Sequence, residues 1–137
     1  MIGANKILVV DDDPTIVRLL VVNLQHAGYQ VAHAFNGLEA LQRIAEDLPD
    51  LVILDIGMPL MTGLEMLRTL REHDATRLLP VIILTANSTD QDVFAGYHGG
   101  ANFYLTKPFN PADLLRYIEQ LFNDFEKAEK PDNFFEL

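Results

Sequence analysis

Five short runs rich in apolar and β-branched residues recur along the chain, each of a length that suits a β-strand. They occupy residues 7–10, 30–34, 51–54, 81–84 and 103–105. The first, third and fourth are apolar at nearly every position, which is typical of central strands in a parallel sheet covered on both faces. The second alternates less cleanly, so we expect it nearer an edge.

Helical periodicity fills the intervals between these runs, and helix-start signals precede four of the five predicted helices. The signals are Asp13-Pro14, Asn36-Gly37, Thr62 with Glu65 in capping-box position, and Asn110-Pro111. A fourth and weaker helical pattern covers residues 88–97. Alternating strands and helices predict an α/β fold, a doubly wound parallel sheet with right-handed crossovers and helices on both faces.

Composition and charge narrow the function classes. The chain has 137 residues, a net charge of −10 and no cysteine. The negative charge argues against nucleic acid as a direct ligand, and the missing cysteines exclude disulfides, thiolate zinc sites and thiol catalysis. No apolar segment is long enough to cross a membrane. We therefore expect a cytoplasmic protein with no direct contact to membrane or nucleic acid.

Polar side chains follow four of the five predicted strands. Asp11 and Asp12 follow the first, Asp55 the third, Thr85 the fourth, and Lys107 closely follows the fifth. In an open α/β sheet, ligands bind beyond the carboxyl ends of the strands, so we expect these groups to meet at one edge. Asp13 is excluded from this set, because a helix cap before a proline explains it.

Three carboxylates at one edge require a cation. Two carboxylates about 4 Å apart repel by about 4 kcal/mol at an effective dielectric of about 20, and Lys107 supplies one positive charge. Carboxylate oxygens suit Mg²⁺. A metal, an ammonium and a hydroxyl around a carboxylate are the groups that phosphoryl transfer to an aspartate needs.

Two other classes share this topology or chemistry. A phosphatase of the haloacid dehalogenase type also forms an aspartyl phosphate, but it carries a second Asp two residues after the nucleophile, where this chain has Gly57. A flavodoxin-like FMN module needs hydroxyls and glycines after the first strand, and the segment DDDPT would repel phosphate.

Four segments resemble, in order and spacing, the receiver domain of two-component response regulators. They are ILVVDDDP, PDLVILDIGMP, VIILTA and YLTKPF. The resemblance covers residues from about 5 to 125, and it implies a flavodoxin-like (βα)5 fold with strand order 2-1-3-4-5. We expect a receiver domain at residues 1–125 and an acidic C-terminal tail or linker at residues 126–137.

The resemblance also implies a role for each matching residue. Asp55 would be the phosphoacceptor, and Mg²⁺ would be bound by Asp11, Asp12, Asp55 and the backbone carbonyl of Gly57. Lys107 would pair with the phosphoryl oxygens.

Thr85 and Tyr104 would act with Lys107 as a phosphoryl-binding switch, and Pro108 would have a separate conformational role. Thr85 would bind the phosphoryl group and move towards it, Tyr104 would be the switch aromatic, and Pro108 would follow a cis peptide bond with Lys107. The protein would act in signalling and would catalyse only its own phosphoryl transfer and dephosphorylation.

The partners implied are a sensor histidine kinase or histidine phosphotransfer protein as phosphoryl donor, a downstream protein or output domain, and a second copy in a homodimer. The length leaves no room for an output domain, so we expect either a single-domain regulator or a receiver taken from a longer protein.

This chain departs from the family pattern just before the expected switch aromatic. Regulators of the winged-helix class usually carry acidic residues just before the switch aromatic, as in GADDY, whereas this chain has GANFY with Asn102 and Phe103. The change puts the salt-bridged dimer face of that class in doubt, although Arg116 is present. Gly57 and Asn87 are poor candidates for activating a hydrolytic water, so we expect a persistent phosphoryl group.

The tail is unusually apolar for a free terminus, since it carries Phe134, Phe135 and Leu137.

Overall fold

The computed structural model describes residues 5–86 and 99–129, with side chains up to residue 124. Within these residues it contains a five-stranded parallel sheet in the order β2-β1-β3-β4-β5. The strands are β1 (Lys6–Val10), β2 (Gln30–Ala34), β3 (Leu51–Leu54), β4 (Val81–Thr85) and β5 (Phe103–Thr106). The predicted fold class, strand order and edge position of the second strand are confirmed.

Four helices lie in the described residues. They are α1 (Pro14–His26), α2 (Gly37–Glu46), α3 (Gly63–Glu72) and α4 (Pro111–Glu129). The helix predicted at residues 88–97, the residue Asn87 and the apolar end of the tail lie outside the described residues. Helix α4 continues to Glu129, past the predicted domain boundary at residue 125, which remains a prediction.

Side-chain caps begin all four of these helices as predicted, and Asn110 before α4 accepts a hydrogen bond from the Ala112 N–H at 2.9 Å. Asp13 accepts a hydrogen bond from the backbone N–H of Thr15 at 2.9 Å, and Asn36 accepts one from Glu39 at 2.8 Å. Thr62 forms a complete capping box with its helix. Each cap satisfies a backbone donor that has no partner inside its helix, and so fixes the residue at which the helix begins.

The sheet is covered on both faces, as the unbroken apolar strands predict. The core on one face includes Ala40 and Ile44 of α2 and Met66, Leu67 and Leu70 of α3. The core on the other face includes Val17, Leu20 and Leu24 of α1 and Leu114, Ile118 and Leu121 of α4. Alternate residues of the central strands point into the two cores. None of the described helices combines the length and hydropathy needed to cross a membrane.

The loop between β3 and α3 contains a strained residue. Leu60 has a φ of +71°, which costs a side chain with a Cβ about 1–2 kcal/mol, and it is 78% exposed, so few contacts hold it. Replacing Leu60 by glycine should stabilise the protein by about 0.5 kcal/mol, because the relief of strain exceeds the entropy that glycine adds to the unfolded chain.

Urea unfolding checks this prediction, with Leu78→Gly as the matched control. Leu78 is also exposed, at 71%, but does not have a positive φ, so its replacement should lower the unfolding free energy slightly. Equal destabilisation by the two variants would mean that Leu60 carries no relievable strain.

Candidate functional site

Strand register brings the acidic residues together. Val10 pairs with Leu54 across β1 and β3, so Asp11 and Asp55 leave adjacent strands at the same level. The backbone N–H of Asp55 donates to the carbonyl oxygen of Val10 at 3.0 Å, which holds the two strand ends side by side. The predicted meeting of these carboxylates at one edge is thus found in the structure.

Three carboxylates form a compact group, which we call the acidic cluster: Asp11, Asp12 and Asp55. One oxygen from each lies within 4.8 Å of the others. Asp11 and Asp55 are buried, at 2% and 7% exposure, whereas Asp12 is exposed. Two buried acids and an exposed third make a site that is fixed at its base and open to solvent at its mouth.

Lys107 supplies the positive charge beside this cluster. Its Nζ lies 2.7 Å from Oδ2 of Asp11 and 3.9 Å from Oδ2 of Asp55. Thr85 pairs with Thr106 across β4 and β5, and the N–H of Lys107 donates to the carbonyl oxygen of Thr85 at 2.8 Å. The Lys107–Pro108 peptide is cis, which agrees with the family pattern.

Burial dominates the electrostatics of Asp11. It raises the pKa of Asp11 above the ordinary value of 3.8 and is helped by the charge of Asp55, whereas hydrogen bonds from Lys107 and the Asp13 N–H act in the opposite direction. For the carboxyl of Asp11, burial therefore outweighs the ammonium of Lys107. The donors are all hard oxygens within reach of one ion, so the residues present fit Mg²⁺.

The raised pKa gives a pH dependence with a definite sign. Between pH 3.8 and its own higher pKa, folded Asp11 holds more protons than unfolded Asp11, so its contribution to stability falls as pH rises through that window. Asp12, Asp55 and Lys107 face Asp11.

We expect the unfolding free energy of the wild type, relative to Asp11→Asn, to decrease with rising pH across this window when metal is removed by EDTA. Urea unfolding at a series of pH values measures the difference. An increase with pH would show that Lys107 outweighs burial and that the pKa of Asp11 is depressed.

The two residues expected to act as a switch lie on neighbouring strands. Thr85 ends β4 and is buried, and Tyr104 in β5 is half-buried and packs against the core cluster that includes α2 and α3. Both make interactions with other residues. The structure thus places Thr85 at the sheet edge that carries the acids and Tyr104 two residues before the end of the next strand.

The departure at Asn102 and Phe103 has a structural basis. Asn102 binds both backbone groups of Val81, the first residue of β4. Its N–H donates to the Val81 carbonyl oxygen, and its Oδ1 accepts from the Val81 N–H at 2.9 Å. Phe103 packs on Tyr117 with ring centroids 4.6 Å apart. Arg116 is exposed and pairs with Asp113 of its own helix. Sequence reasoning missed the role of Asn102, although a side chain that mimics backbone pairing is a common use of Asn.

A second residue that sequence reasoning missed lies beside Asp55. Gly63 begins α3, and a Cβ placed on it would lie 2.3 Å from the backbone oxygen of Asp55. The signal in the sequence was a glycine directly after the Thr62 cap, which could have been attributed to helix geometry alone.

Comparison with known proteins identifies the class. Residues 7–119 match the family model described as the response regulator receiver domain. The chain belongs to this family, which favours the receiver over the haloacid dehalogenase and flavodoxin alternatives. Receiver domains are signalling proteins of two-component systems.

Individual relatives agree with this membership. The chain is 38% identical over 123 residues to the alkaline phosphatase synthesis transcriptional regulatory protein PhoP of Bacillus subtilis, a match that covers 90% of this chain and 50% of PhoP. It spans about half the length of the curated relatives it matches.

Solved structures match over nearly their whole length. A putative response regulator from Chloroflexus aurantiacus is 39% identical with a TM-score of 0.83, and the match covers 86% of this chain and 97% of that one. A CheY-like response regulator receiver domain protein from Methanospirillum hungatei is 30% identical with a TM-score of 0.87, covering 92% and 99%.

Proposed function

We propose that this receiver accepts a phosphoryl group on Asp55 with the help of Mg²⁺ and changes conformation in response. The observation that carries the proposal is the acidic cluster with one lysine at its edge. Asp55 is buried at the base, Lys107 lies 3.9 Å from its carboxylate, and oxygens of Asp11 and Asp12 lie within 4.8 Å of it. Like charges held this close repel one another, and a bound cation would offset that repulsion.

Asp11, Asp12, Asp55 and the backbone carbonyl of Gly57 would hold Mg²⁺. When bound, the ion would offset the charge that collects on the acids and on the transferring phosphoryl group. Asp12 is the exposed member and would bind directly, whereas Asp11, already hydrogen-bonded to Lys107, would act mainly through water. The Asp13 N–H donates to Oδ1 of Asp11 at 3.0 Å, which orients that carboxylate towards the cluster.

Phosphoryl transfer would use the carboxylate of Asp55 as the nucleophile. One of its oxygens would attack the phosphorus of a phosphohistidine in line, the P–N bond would break, and the imidazole would leave and take up a proton from solvent. Lys107 would pair with the phosphoryl oxygens. Its approach to both buried acids suits a cation that can exchange its carboxylate partner for the new dianion.

The response would arise because the phosphoryl group interacts differently with two states of the protein. Thr85 would hydrogen-bond the phosphoryl group and move towards it, and Tyr104 would turn inward as it moved. Added charge and acceptor oxygens would bias a pre-existing equilibrium between these states. Gly57 provides no side chain to activate a hydrolytic water, so the acyl phosphate would persist until a phosphatase acted.

The donor would be a histidine kinase or a histidine phosphotransfer protein, and the recipient of the signal a downstream protein or an output domain. Residues 1–125 would form the receiver and residues 126–137 a tail or linker. A homodimer through the face that carries Phe103 and Tyr117 would be apolar rather than salt-bridged. We propose no direct contact with nucleic acid, given the net charge of −10.

Incubation with acetyl phosphate tests the function directly. We expect intact-protein mass spectrometry to show the addition of one phosphoryl group with Mg²⁺ present and none with EDTA. Isothermal titration calorimetry should show one Mg²⁺ bound per chain. Absence of both Mg²⁺ binding and phosphoryl uptake by the folded wild type would contradict the proposal.

A further inference from the structure

The first residue of α3 touches the backbone of the strand end that carries Asp55. A Cβ on Gly63 would lie 2.3 Å from the carbonyl oxygen of Asp55, 2.9 Å from its carbonyl carbon and 2.8 Å from the Cα of Ile56. These are backbone atoms of a central strand and its exit, which cannot rotate away as a flexible side chain can. Any residue other than glycine must therefore displace either α3 or the segment after β3.

That segment is a loop closed at its base by the same glycine. The N–H of Gly63 donates to the carbonyl oxygen of Ile56 at 3.0 Å, and Thr62 is fixed by its capping box. Ile56 is the first residue of this closed loop, so Asp55 comes immediately before it and Gly57 immediately after it. A shift at the contact between Gly63 and Ile56 is thus transmitted to both neighbours of Ile56.

We infer that Gly63 is a positioning residue for the Mg²⁺ site: its missing side chain lets the N-terminus of α3 seat against Asp55 and Ile56, which fixes the Asp55 carboxylate and the Gly57 carbonyl relative to Asp11 and Asp12. The inference rests on the proposed function and deepens it. Gly63 acts through the backbone and touches neither the metal nor the phosphoryl group.

Gly37 provides a matched control, because it occupies the same position in α2 that Gly63 occupies in α3. Each is the first helical residue after a side-chain cap. A Cβ on Gly37 would also meet neighbours at 2.9–3.0 Å, but these are Cβ, Cγ and Sδ of Met61. The Met61 Cγ and Sδ can rotate away, and its Cβ must shift by a few tenths of an ångström, whereas the backbone of Asp55 and Ile56 is not met. The same substitution at the two positions therefore separates a helix-start effect from displacement of the Asp55 backbone.

Calorimetric titration with Mg²⁺ tests the inference on folded wild type, Gly63→Ala and Gly37→Ala, with Leu24→Ala as a variant destabilised in the core far from the site. Gly63→Ala should raise the Kd for Mg²⁺ by about tenfold or more, as loss of support around metal ligands does. Gly37→Ala and Leu24→Ala should stay within about twofold of the wild type, since neither added nor removed atoms meet the backbone of Asp55 or Ile56. Near-wild-type Mg²⁺ affinity in folded Gly63→Ala would overturn the inference.

Amide exchange in the unmodified protein keeps the inference testable if Gly63→Ala does not fold. Coupling between two sites is reciprocal, so a loop closure that supports Mg²⁺ binding must itself be stabilised by Mg²⁺. The Gly63 N–H should exchange more slowly with Mg²⁺ present, whereas the Gly37 N–H should not change. Equal exchange of the Gly63 N–H with and without Mg²⁺ would overturn the positioning role, whereas failure of the wild type to bind Mg²⁺ would instead contradict the proposed function.

Discussion

Asp55→Asn is expected to abolish phosphoryl uptake from acetyl phosphate, with a loss of at least about a thousandfold in the rate of modification. An amide oxygen is a far weaker nucleophile than a carboxylate oxygen, and asparagine cannot form an aspartyl phosphate. The fold should survive, because asparagine has nearly the same size and the N–H of Asp55 would still donate to Val10. Intact-protein mass spectrometry over time measures the rate.

Asp13→Asn is the matched control for this substitution. Asp13 lies beside the acidic cluster in sequence but acts as the cap of α1, where asparagine is as good a cap as aspartate. Its variant should take up phosphoryl at a rate close to that of the wild type. If Asp55→Asn were modified as fast as Asp13→Asn, another residue would be the acceptor.

Lys107→Met is expected to destabilise the metal-free protein by about 3 kcal/mol, since removing one partner of a buried ion pair leaves an uncompensated charge. Lys107 is the cation 2.7 Å from the buried carboxylate of Asp11, and without it three acids face one another. Methionine keeps most of the apolar stem, so the loss reports on charge rather than on packing. Mg²⁺ should recover much of the loss by supplying the missing positive charge. Urea unfolding in EDTA and in excess Mg²⁺ measures both effects.

Lys6→Met is the control for this second substitution. Lys6 also forms an ion pair, with Asp47 at 2.9 Å, but both side chains are substantially exposed. Exposed ion pairs contribute little to stability, so this variant should lose little stability and should not respond differently to Mg²⁺. Equal losses in the two variants, unaffected by Mg²⁺, would show that the acidic cluster needs no cation.

The fold was predictable because its signals are local and repeat. Fully apolar strands such as Leu51–Leu54 predict burial on both faces, and caps such as Thr62 mark where each helix begins. The rule that parallel strands end at one edge then predicts that Asp11 and Asp55 meet. In the structure, Val10 pairs with Leu54, which places Asp11 and Asp55 at the same edge as that rule predicts.

Features that depend on close approach between distant segments were not predictable. The sequence shows a glycine at position 63, but only the packing of α3 against the end of β3 reveals that a Cβ would meet the Asp55 backbone. The positive φ of Leu60 and the pairing of Asn102 with Val81 likewise depend on how loops close in three dimensions. Local propensity does not reveal these contacts, and at Leu60 it opposes the conformation that is found.

The central claim, that Asp55 carries the phosphoryl group, is tested most directly by chemical mapping of the acceptor. After incubation with acetyl phosphate and Mg²⁺, borohydride reduces an aspartyl phosphate to homoserine, which tandem mass spectrometry locates in the digested protein. We predict homoserine at position 55 and at no other aspartate, and none when EDTA replaces Mg²⁺. Homoserine at a different position, or its formation at position 55 without Mg²⁺, would contradict the account.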